Sequence, residues 1–382
     1  MIIEKSISFS KKMKDLYIPK ICDVDEIKPL QENPGYRKIL IVKPSSLGDI
    51  LHAFPAFYLL RKSLPLAKID WIVNSKLSPI LGYIRPDINK VINFRRSEFK
   101  KTKVVPKALV SLIANIRRAK YDLVIDMQGL IRSSMMTFAA RAKHKAGFAE
   151  VKEKGSGIFY DKKISVPREI THAIDKNCFL IASILGIENV VPDFRLPFLS
   201  NINITDILTR NKIKKGMKYI AFSPVARWAT KTWPSEFFSK AADIITREIP
   251  EIKIFLLGTK GERTAVEEII KNCRYAKPIN LSGTTSLTEL IELIRGSELL
   301  LTNDSGPMHI AAFVRTPVFA LFGPTFPEKT GPYWQWHKVY QAARGCIKCA
   351  KRNCHRNSLE CQKTISAKKV AEDMLKKLYG KI

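Results

Sequence analysis

Two short polar turns, far apart in the chain, carry residue types that could do chemistry. Residues 44–49 (Pro-Ser-Ser-Leu-Gly-Asp) follow an apolar run at 38–42, and residues 303–306 (Asn-Asp-Ser-Gly) follow an apolar run at 300–302. A helical pattern begins after each turn. Because free backbone N–H groups at a helix N-terminus favour an anion, the second turn predicts a site for a negatively charged ligand. The same residue types are also the commonest helix caps, which is the structural alternative.

Asp49 is the carboxylate nearest the predicted helix start in the first turn. The helix dipole favours the ionised form of a carboxylate at such a position. An ionised carboxylate could accept a proton from an attacking hydroxyl group, so Asp49 is the candidate general base. A purely structural residue in the first helical turn is the alternative. For His309, just after the second turn, a satisfied core histidine is the alternative to a ligand-binding role.

A basic turn precedes another predicted helix, which begins at residues 233–236 (Trp-Pro-Ser-Glu). Lys231 stands just ahead of this helix N-terminus, with Arg227 and Thr230 in the same turn. A lysine there could meet a diphosphate as a point charge, while the helix amides supply hydrogen bonds. In a chain this basic, a solvated surface turn is the alternative.

A third polar turn, residues 126–129 (Asp-Met-Gln-Gly), ends another apolar run and is expected to face a cleft. Arg132, Lys162 and Lys163 could add positive charge near Gln128. These side chains would suit an acidic acceptor molecule, and a solvated basic face is the alternative.

Four cysteines cluster near the C-terminus: Cys346, Cys349, Cys354 and Cys361. Four thiolates at this spacing could hold a structural zinc ion tetrahedrally, with His355 as a substitute ligand. The spacing is not the paired C-x2-C form, and free thiols or one labile disulfide are the alternative. The cluster follows the last predicted core strand, which favours a structural role over a catalytic one.

Apolar runs alternate with helical patterns along the chain, which predicts parallel sheets with helices on both faces. We expect an α/β protein made of two doubly wound, Rossmann-like domains that face each other across a cleft. The expected parts are an extension of uncertain order (1–36), a first domain (37–195), a linker (196–215), a second domain (216–365) with a Cys-rich segment (346–361), and a basic C-terminal helix (366–382). The patterns also predict a single helix over 50–62, little regular structure over 151–168, and a unit at 300–323 that closes the second sheet.

The formal net charge of the 382-residue chain is +30. A charge of this size predicts an acidic partner, either nucleic acid, an anionic membrane surface or a phosphorylated substrate. Lysines and arginines are dispersed along the chain, which argues against nucleic acid. The sequence has no apolar run of about 18 residues and no N-terminal signal core, so we expect a cytoplasmic chain without a transmembrane helix.

Six segments of the sequence, in this order, resemble the signatures of glycosyltransferase family 9, the ADP-heptose:lipopolysaccharide heptosyltransferases. They are 38–56 (KILIVKPSSLGDILHAFPA), 121–133 (YDLVIDMQGLIRS), 159–167 (FYDKKISVP), 172–175 (HAID), 227–234 (RWATKTWP) and 303–309 (NDSGPMH). The resemblance covers about residues 37–365. The joint occurrence of these six segments in this order is far more specific for the family than any single motif.

This resemblance implies a GT-B fold and an inverting transfer of L-glycero-D-manno-heptose from ADP-heptose, with no required metal or other cofactor. The implied acceptor is the inner core of lipopolysaccharide, either Kdo on lipid A or a heptose already attached. The implied partners are a nucleotide sugar, lipopolysaccharide and the inner face of the inner membrane, where the protein would be peripheral. One alternative is an enzyme of the same fold with another nucleotide sugar or glycan acceptor. A basic nucleic-acid-binding protein is the outside alternative.

The family's functional residues carry over by position. Asp49 resembles the general base, Lys231 the lysine that binds the diphosphate, and Asp304 a residue near the donor sugar. The whole expected donor set is Arg227, Thr230, Lys231, Leu287, Asp304, Ser305, Gly306 and His309. The expected acceptor set is Ser46, Gly48, Gln128, Arg132, Lys162 and Lys163.

Overall fold

The computed structural model describes residues 35–95, 107–188, 190, 192, 194–197, 199, 202, 204–211, 213–214, 216–342, 348–354 and 358–380. Two six-stranded parallel sheets organise these residues, and helices cover each sheet. Nearly all of the expected N-terminal extension lies outside the described residues.

The first sheet has the strand order β3-β2-β1-β4-β5-β6. Its elements in chain order are β1 (Lys38–Val42), α1 (Leu47–Leu51), α2 (Phe54–Ser63), β2 (Lys68–Asn74), a 3-10 segment (Ser78–Asp87), β3 (Lys90–Phe94), α3 (Lys107–Ala119), β4 (Tyr121–Asp126), α4 (Ile131–Ala139), β5 (Ala142–Phe148), β6 (Lys162–Ile164) and α5 (Ala173–Leu185). The central strands β1 and β4 are continuous apolar runs because helices bury both of their faces.

The second sheet has the order β12-β11-β10-β7-β8-β9. Its elements, after α6 (Thr205–Arg210) in the connection, are β7 (Tyr219–Ser223), a 3-10 turn (Ala229–Lys231), α7 (Ser235–Glu248), β8 (Lys253–Leu256), a 3-10 turn (Lys260–Glu262), α8 (Arg263–Asn272), β9 (Ile279–Asn280), α9 (Leu287–Arg295), β10 (Leu300–Asn303), α10 (Gly306–Val314), β11 (Val318–Phe322), α11 (Pro327–Thr330), β12 (Lys338–Gln341), α12 (Glu360–Lys363) and α13 (Ala367–Leu378).

Each sheet has its topological switch point where the polar turns lie. In the first sheet the strand order reverses between β1 and β4, and in the second between β7 and β10. Loops that leave the carboxyl ends of such neighbouring strands point in opposite directions and leave a crevice between them. The turns that follow β1, β4, β7 and β10 therefore border the space between the two sheets.

Two expectations about individual elements were wrong. The helix expected over 50–62 is two helices, because Pro55 in the first turn of α2 cannot donate the hydrogen bond that would continue α1. The unit at 300–323 does not close the second sheet, since β10 lies at its centre and β12 forms the edge beyond β11. Residues 151–168 have little regular structure, as expected, apart from the three-residue edge strand β6.

The two domains pack directly on each other. One continuous cluster of buried apolar side chains includes residues of both sheets. Tyr83 of the first domain donates its hydroxyl to Glu292 Oε1 of the second at 2.7 Å. The C-terminal helix α13 buries Val370 and Met374 in the core of the second domain. Across the described residues, no helix has the length and apolar character needed to span a bilayer.

Candidate active site

A cleft of about 780 Å³ lies between the carboxyl edges of the two sheets. The volume falls within the range of small-molecule sites, roughly 300–1,000 Å³. The first domain contributes Ser46, Leu47, Gly48, Asp49 and His52. The second domain contributes Ser223, Val225, Arg227, Trp228, Lys231, Leu257, Gly258, Thr259, Lys260, Glu262, Gly283, Thr285, Ser286, Leu287, Leu290, Asp304, Ser305, Gly306, Pro307, His309 and Thr330.

Asp49 lies at the third position of α1, and one of its carboxylate oxygens already accepts the hydrogen bonds that cap this helix. Its Oδ2 accepts hydrogen bonds from the Ser46 backbone N–H at 2.9 Å and from Ser46 Oγ at 2.8 Å. Its Oδ1 lies 3.5 Å from Lys152 Nζ, and the side chain is 31% exposed. The cap thus fixes the carboxylate through Oδ2 and leaves Oδ1 accessible from the cleft.

Two lysines set the charge state of Asp49. Burial alone would raise the pKa of the Asp49 carboxyl, but the charges of Lys43 and Lys152 outweigh burial and hold that pKa well below its usual range. Lys43 is itself buried behind the turn, where its Nζ donates to the Met127 carbonyl. Burial lowers the pKa of Lys43 to about 8, against the opposing effect of the Asp49 charge. The Asp49 carboxylate is therefore ionised across the neutral pH range.

The opposite side of the cleft is formed by the N-terminus of α10. Ser305 precedes this helix, and its hydroxyl lies 3.2 Å from Thr302 Oγ1 instead of capping the helix amides. Pro307 in the first turn has no N–H to satisfy. The remaining first-turn amides of Gly306 and its successors, together with the helix dipole, favour an anion in the cleft.

Lys231 and Asp304 form an ion pair beside this helix end. The Nζ–Oδ2 distance is 2.6 Å, and Asp304 Oδ2 also accepts from Thr325 Oγ1 at 2.7 Å. Lys231 Nζ lies 4.6 Å from the centre of the Trp228 ring, and the lysine side chain is 18% exposed. A partly buried ammonium of this kind can share its hydrogen bonds with an incoming phosphate.

Three histidines, one of which the sequence singled out, meet where the two domains touch. His52 Nε2 lies 3.0 Å from His309 Nδ1, and the His172 ring packs edge-on against His52 at 5.4 Å between ring centres. Burial lowers the pKa of His309 to about 4, that of His52 well below the ordinary imidazole value, and that of His172 in the same direction. All three rings are therefore neutral at pH 7, and His309 contacts the first domain as well as the cleft.

Two glycines allow α1 and α10 to approach each other. A Cβ at Gly48 would overlap the His309 ring, with its Nε2 only 2.7 Å away. A Cβ at Gly306 would lie 3.0 Å from Leu47 Cδ2. Neither glycine needs a left-handed backbone, so close contact between the helices explains these positions.

We expect Gly48→Ala to impair turnover more than folding. The added methyl group displaces the His309 ring or separates α1 from α10, and overpacking of this kind costs about 1–3 kcal/mol. A shift of about 1 Å in a reacting group can lower a rate 10²-fold. Steady-state kinetics and thermal unfolding measure the two effects. Gly82→Ala is the matched control, because a Cβ there meets nothing within 4 Å. Unchanged kcat in Gly48→Ala would contradict the importance of this contact.

The structure brings together most of the expected donor residues, but Thr230 is an exception. Its buried hydroxyl donates to the Lys351 carbonyl at 2.8 Å, so the side chain ties the basic turn to the Cys-rich segment. Arg227 is exposed at the cleft. Leu287, Gly258 and Gly283 line its far end, which follows β8 and β9 and lies away from the N-terminus of α10.

The expected acceptor residues divide into two groups. Ser46 and Gly48 line the cleft, whereas Gln128 is buried in the turn after β4 with an Oε1 that has no hydrogen-bond partner among the described residues. Lys162 donates to Tyr36 Oη at 2.8 Å and Lys163 is exposed on the edge strand β6, so neither lines the cleft. Arg132 lies on α4, also outside the cleft lining.

The Cys-rich segment is only partly described. Cys346 and the substitute ligand His355 lie outside the described residues. Cys361 is buried and Cys349 and Cys354 are half-buried, and among the described residues no group of three potential ligands is arranged to hold a metal ion. The four-cysteine zinc site therefore remains a prediction.

Lys43, His52 and Lys152 were not predicted from the sequence. A signal existed for Lys43, since this charged residue directly follows the apolar strand β1 beside the Asp49 turn. His52 ends α1 and faces the domain interface, which only the approach of α10 reveals. Lys152 reaches Asp49 from a loop about a hundred residues away and had no local signal.

Sequence comparisons give consistent results. A sequence model of Glycosyltransferase family 9 (heptosyltransferase) matches residues 109–359. The chain is 27% identical over 299 residues to Lipopolysaccharide core heptosyltransferase OpsX of Haemophilus influenzae, covering 78% of this chain and 82% of that protein. It is 30% identical over 287 residues to Lipopolysaccharide heptosyltransferase 3 of Escherichia coli, covering 73% and 80% respectively.

Solved structures agree on the fold. The E. coli heptosyltransferase WaaC with ADP has a TM-score of 0.69 at 22% identity and covers 89% of this chain and 99% of its own. The E. coli ADP-heptose lps heptosyltransferase II has a TM-score of 0.72 at 22% identity and covers 90% and 99%. The expected GT-B architecture of two facing Rossmann-like domains is thereby confirmed.

Proposed function

The chain belongs to glycosyltransferase family 9 (heptosyltransferase), and from this premise we propose that it transfers L-glycero-D-manno-heptose from ADP-heptose to a sugar of the lipopolysaccharide inner core. Both relatives are lipopolysaccharide heptosyltransferases by name, and the name of the Haemophilus influenzae protein specifies the core. The donor has further support from the E. coli WaaC structures, which hold ADP and ADP-2-deoxy-2-fluoro heptose.

One observation carries the proposal. Asp49 lines the cleft from the first domain, while Lys231, Asp304 and the N-terminus of α10 line it from the second. A general base on one side and an anion site on the other are the two parts that an inverting sugar transfer needs.

The reaction follows from this arrangement. Asp49 Oδ1 removes the proton from an acceptor hydroxyl as the oxygen attacks the anomeric carbon of the heptose. The bond from that carbon to the ADP oxygen breaks on the opposite face, and the configuration inverts. Negative charge grows on the departing diphosphate, where Lys231 and the first-turn amides of α10 stabilise it. No cofactor takes part in this scheme.

The nucleoside of the donor belongs at the far end of the cleft. Gly258, Gly283 and Leu287 line that end, and Gly283 has a φ of +75° with no room for a side chain against Lys260. Backbone and the apolar Leu287 side chain together suit a purine base. Since its acceptor is linked to lipid A, the enzyme acts at the inner face of the inner membrane as a peripheral protein.

Donor-dependent thermal shift is the direct test of the donor. ADP-heptose at 100 times its Kd would stabilise the folded protein by about 2.7 kcal/mol, whereas UDP- and GDP-sugars at equal concentration would give much less. Equal stabilisation by a UDP-sugar would favour the alternative, an enzyme of the same fold with another donor. Mass spectrometry of truncated lipid A cores, incubated with enzyme and ADP-heptose, then identifies the acceptor by the mass of one added heptose.

A further inference from the structure

Helix α4 in the first domain has an exposed apolar face. Ile131, Met135 and Phe138 are 52%, 62% and 56% exposed, and their spacing of four and three residues puts them on one side of the helix. The other side buries Ser133 and Met136 against the sheet. The described residues include nine strongly exposed large apolar side chains, and three of them are on this one short helix. Apolar surface concentrated in this way marks an interaction site.

The loop between β5 and β6 extends this face. Glu153 Oε2 accepts from the Ile131 backbone N–H at 2.7 Å at one end of α4, and Phe159 packs on Phe138 with 4.5 Å between ring centres at the other. The loop therefore runs along the whole helix. It carries Ile158, which is 66% exposed and adds a fourth apolar side chain. We refer to Ile131, Met135, Phe138 and Ile158 as the α4 face.

Positive charge lies beside the α4 face. Residues 131–168 contain nine lysines and arginines against three acidic residues. Lys145 Nζ lies 5.7 Å from the centre of the Phe138 ring, and the half-buried Arg132 follows Ile131 on the helix. Of the three acids, Glu153 is engaged at the start of α4. An apolar stripe with a basic border is complementary to an anionic lipid surface, where the stripe enters the headgroup region and cations attract the lipid phosphates.

The same loop connects the α4 face to the candidate base. The Lys152 backbone N–H donates to the Gly129 carbonyl at 3.0 Å, and its Nζ lies 3.5 Å from Asp49 Oδ1. The next residue in the chain is Glu153, which makes the contact with α4. A bilayer in contact with the α4 face would therefore lie beside the acceptor side of the cleft.

We propose that the α4 face docks the protein on an anionic bilayer, with the acceptor side of the cleft next to the lipid headgroups. This inference extends the proposed function, because a lipid-linked acceptor is met at a bilayer surface. Lipid binding can nevertheless be measured without any sugar transfer, so the two proposals can fail separately.

Vesicle flotation of the full chain tests the docking surface. Vesicles of phosphatidylglycerol and phosphatidylcholine in equal amounts should bind the protein, and pure phosphatidylcholine should bind it at least about tenfold more weakly. The double variant Met135→Gln/Phe138→Gln should lose at least about tenfold in affinity for the anionic vesicles. Leu66→Gln is the matched control, since Leu66 is 95% exposed in the same domain but lies outside the α4 face. Equal binding by the double variant and by wild type would overturn the proposal.

Two further measurements distinguish lipid docking from misfolding and from dimer formation. The double variant should retain wild-type ADP affinity and kcat/KM on a deacylated, water-soluble acceptor, and its KM should rise only with acceptor embedded in vesicles. Ile131→Gln/Ile158→Gln provides a second test if the first variant folds poorly. If wild type is a dimer, the double variant is a monomer, and both bind vesicles equally well, the face would be assigned to a second copy of the chain and docking on lipid would be overturned.

If the double variant loses vesicle binding while even the wild-type protein transfers no heptose, the docking surface would be upheld and the proposed function refuted.

Discussion

Asp49→Asn should lower kcat by about 10³-fold and leave ADP affinity nearly unchanged. Loss of a positioned general base costs about 10²–10⁴-fold in rate. The amide oxygen of the asparagine can accept the hydrogen bond that the Ser46 N–H donates to Asp49 Oδ2, so the fold of the turn should persist. Initial rates at saturating donor and acceptor give kcat, and calorimetric titration with ADP gives the affinity of the second domain's site.

The pH profile gives an independent check on this assignment. The Asp49 carboxylate is ionised well below pH 7, and burial keeps His52 and His309 neutral. The wild-type kcat/KM should therefore have no acid limb between about pH 5 and 7, although histidines ordinarily titrate near 6.5. An acid limb near pH 6.5 that disappears in His52→Asn would assign proton transfer to that imidazole. Retention of more than about a tenth of kcat in Asp49→Asn would likewise exclude Asp49 as the base.

Lys231→Ala should weaken ADP binding by about 10- to 100-fold and lower kcat/KM further. A hydrogen bond to a charged group contributes about 1.5–3 kcal/mol, which corresponds to this range of affinity. The additional loss in kcat/KM arises because the lysine also stabilises charge that grows on the leaving diphosphate. Calorimetric titration with ADP separates the first effect from the second. Lys240→Ala, an exposed lysine on α7 of the same domain, should change neither quantity.

A second variant separates phosphate binding from a purely structural role of Lys231. The lysine pairs with Asp304, which is only 6% exposed, and removing one partner of a buried pair leaves the other charge uncompensated. If Lys231 only neutralises Asp304, the double variant Lys231→Ala/Asp304→Asn should recover ADP affinity. If Lys231 binds the diphosphate, the double variant should regain only the affinity lost to repulsion by the uncompensated Asp304 charge and should stay well below wild type. Full recovery of wild-type ADP affinity would therefore refute the proposed contact.

Much of the fold and part of the site could be predicted because their signals are local. A buried parallel strand is a continuous apolar run, and the polar turns after β1 and β10 interrupt that run within a few residues. The helix that follows each turn fixes where an anion can bind. Asp49 and Asp304 could thus be assigned to two turns that face one cleft, without any knowledge of tertiary contacts.

The parts of the fold and the site that were not predicted depend on contacts between residues distant in the sequence. β5 (Ala142–Phe148) was not predicted, because its lysines and histidine hide the apolar positions that pack on the sheet. Thr230 shares the turn of Lys231, but its hydroxyl points to the Lys351 carbonyl and not to the cleft. Lys162 and Lys163 were expected near the acceptor from charge alone, and the edge position of β6 keeps both outside the cleft lining.

The paired imidazoles of His52 and His309 make domain separation a proton-linked event. Moving α1 away from α10 would break their 3.0 Å contact and expose both rings to water. Each would then return toward an ordinary pKa near 6.5, so the separated form would bind protons that the closed form excludes. Proton uptake should consequently accompany separation, and the release of the nucleotide product, if it requires that movement, should take up protons from solution.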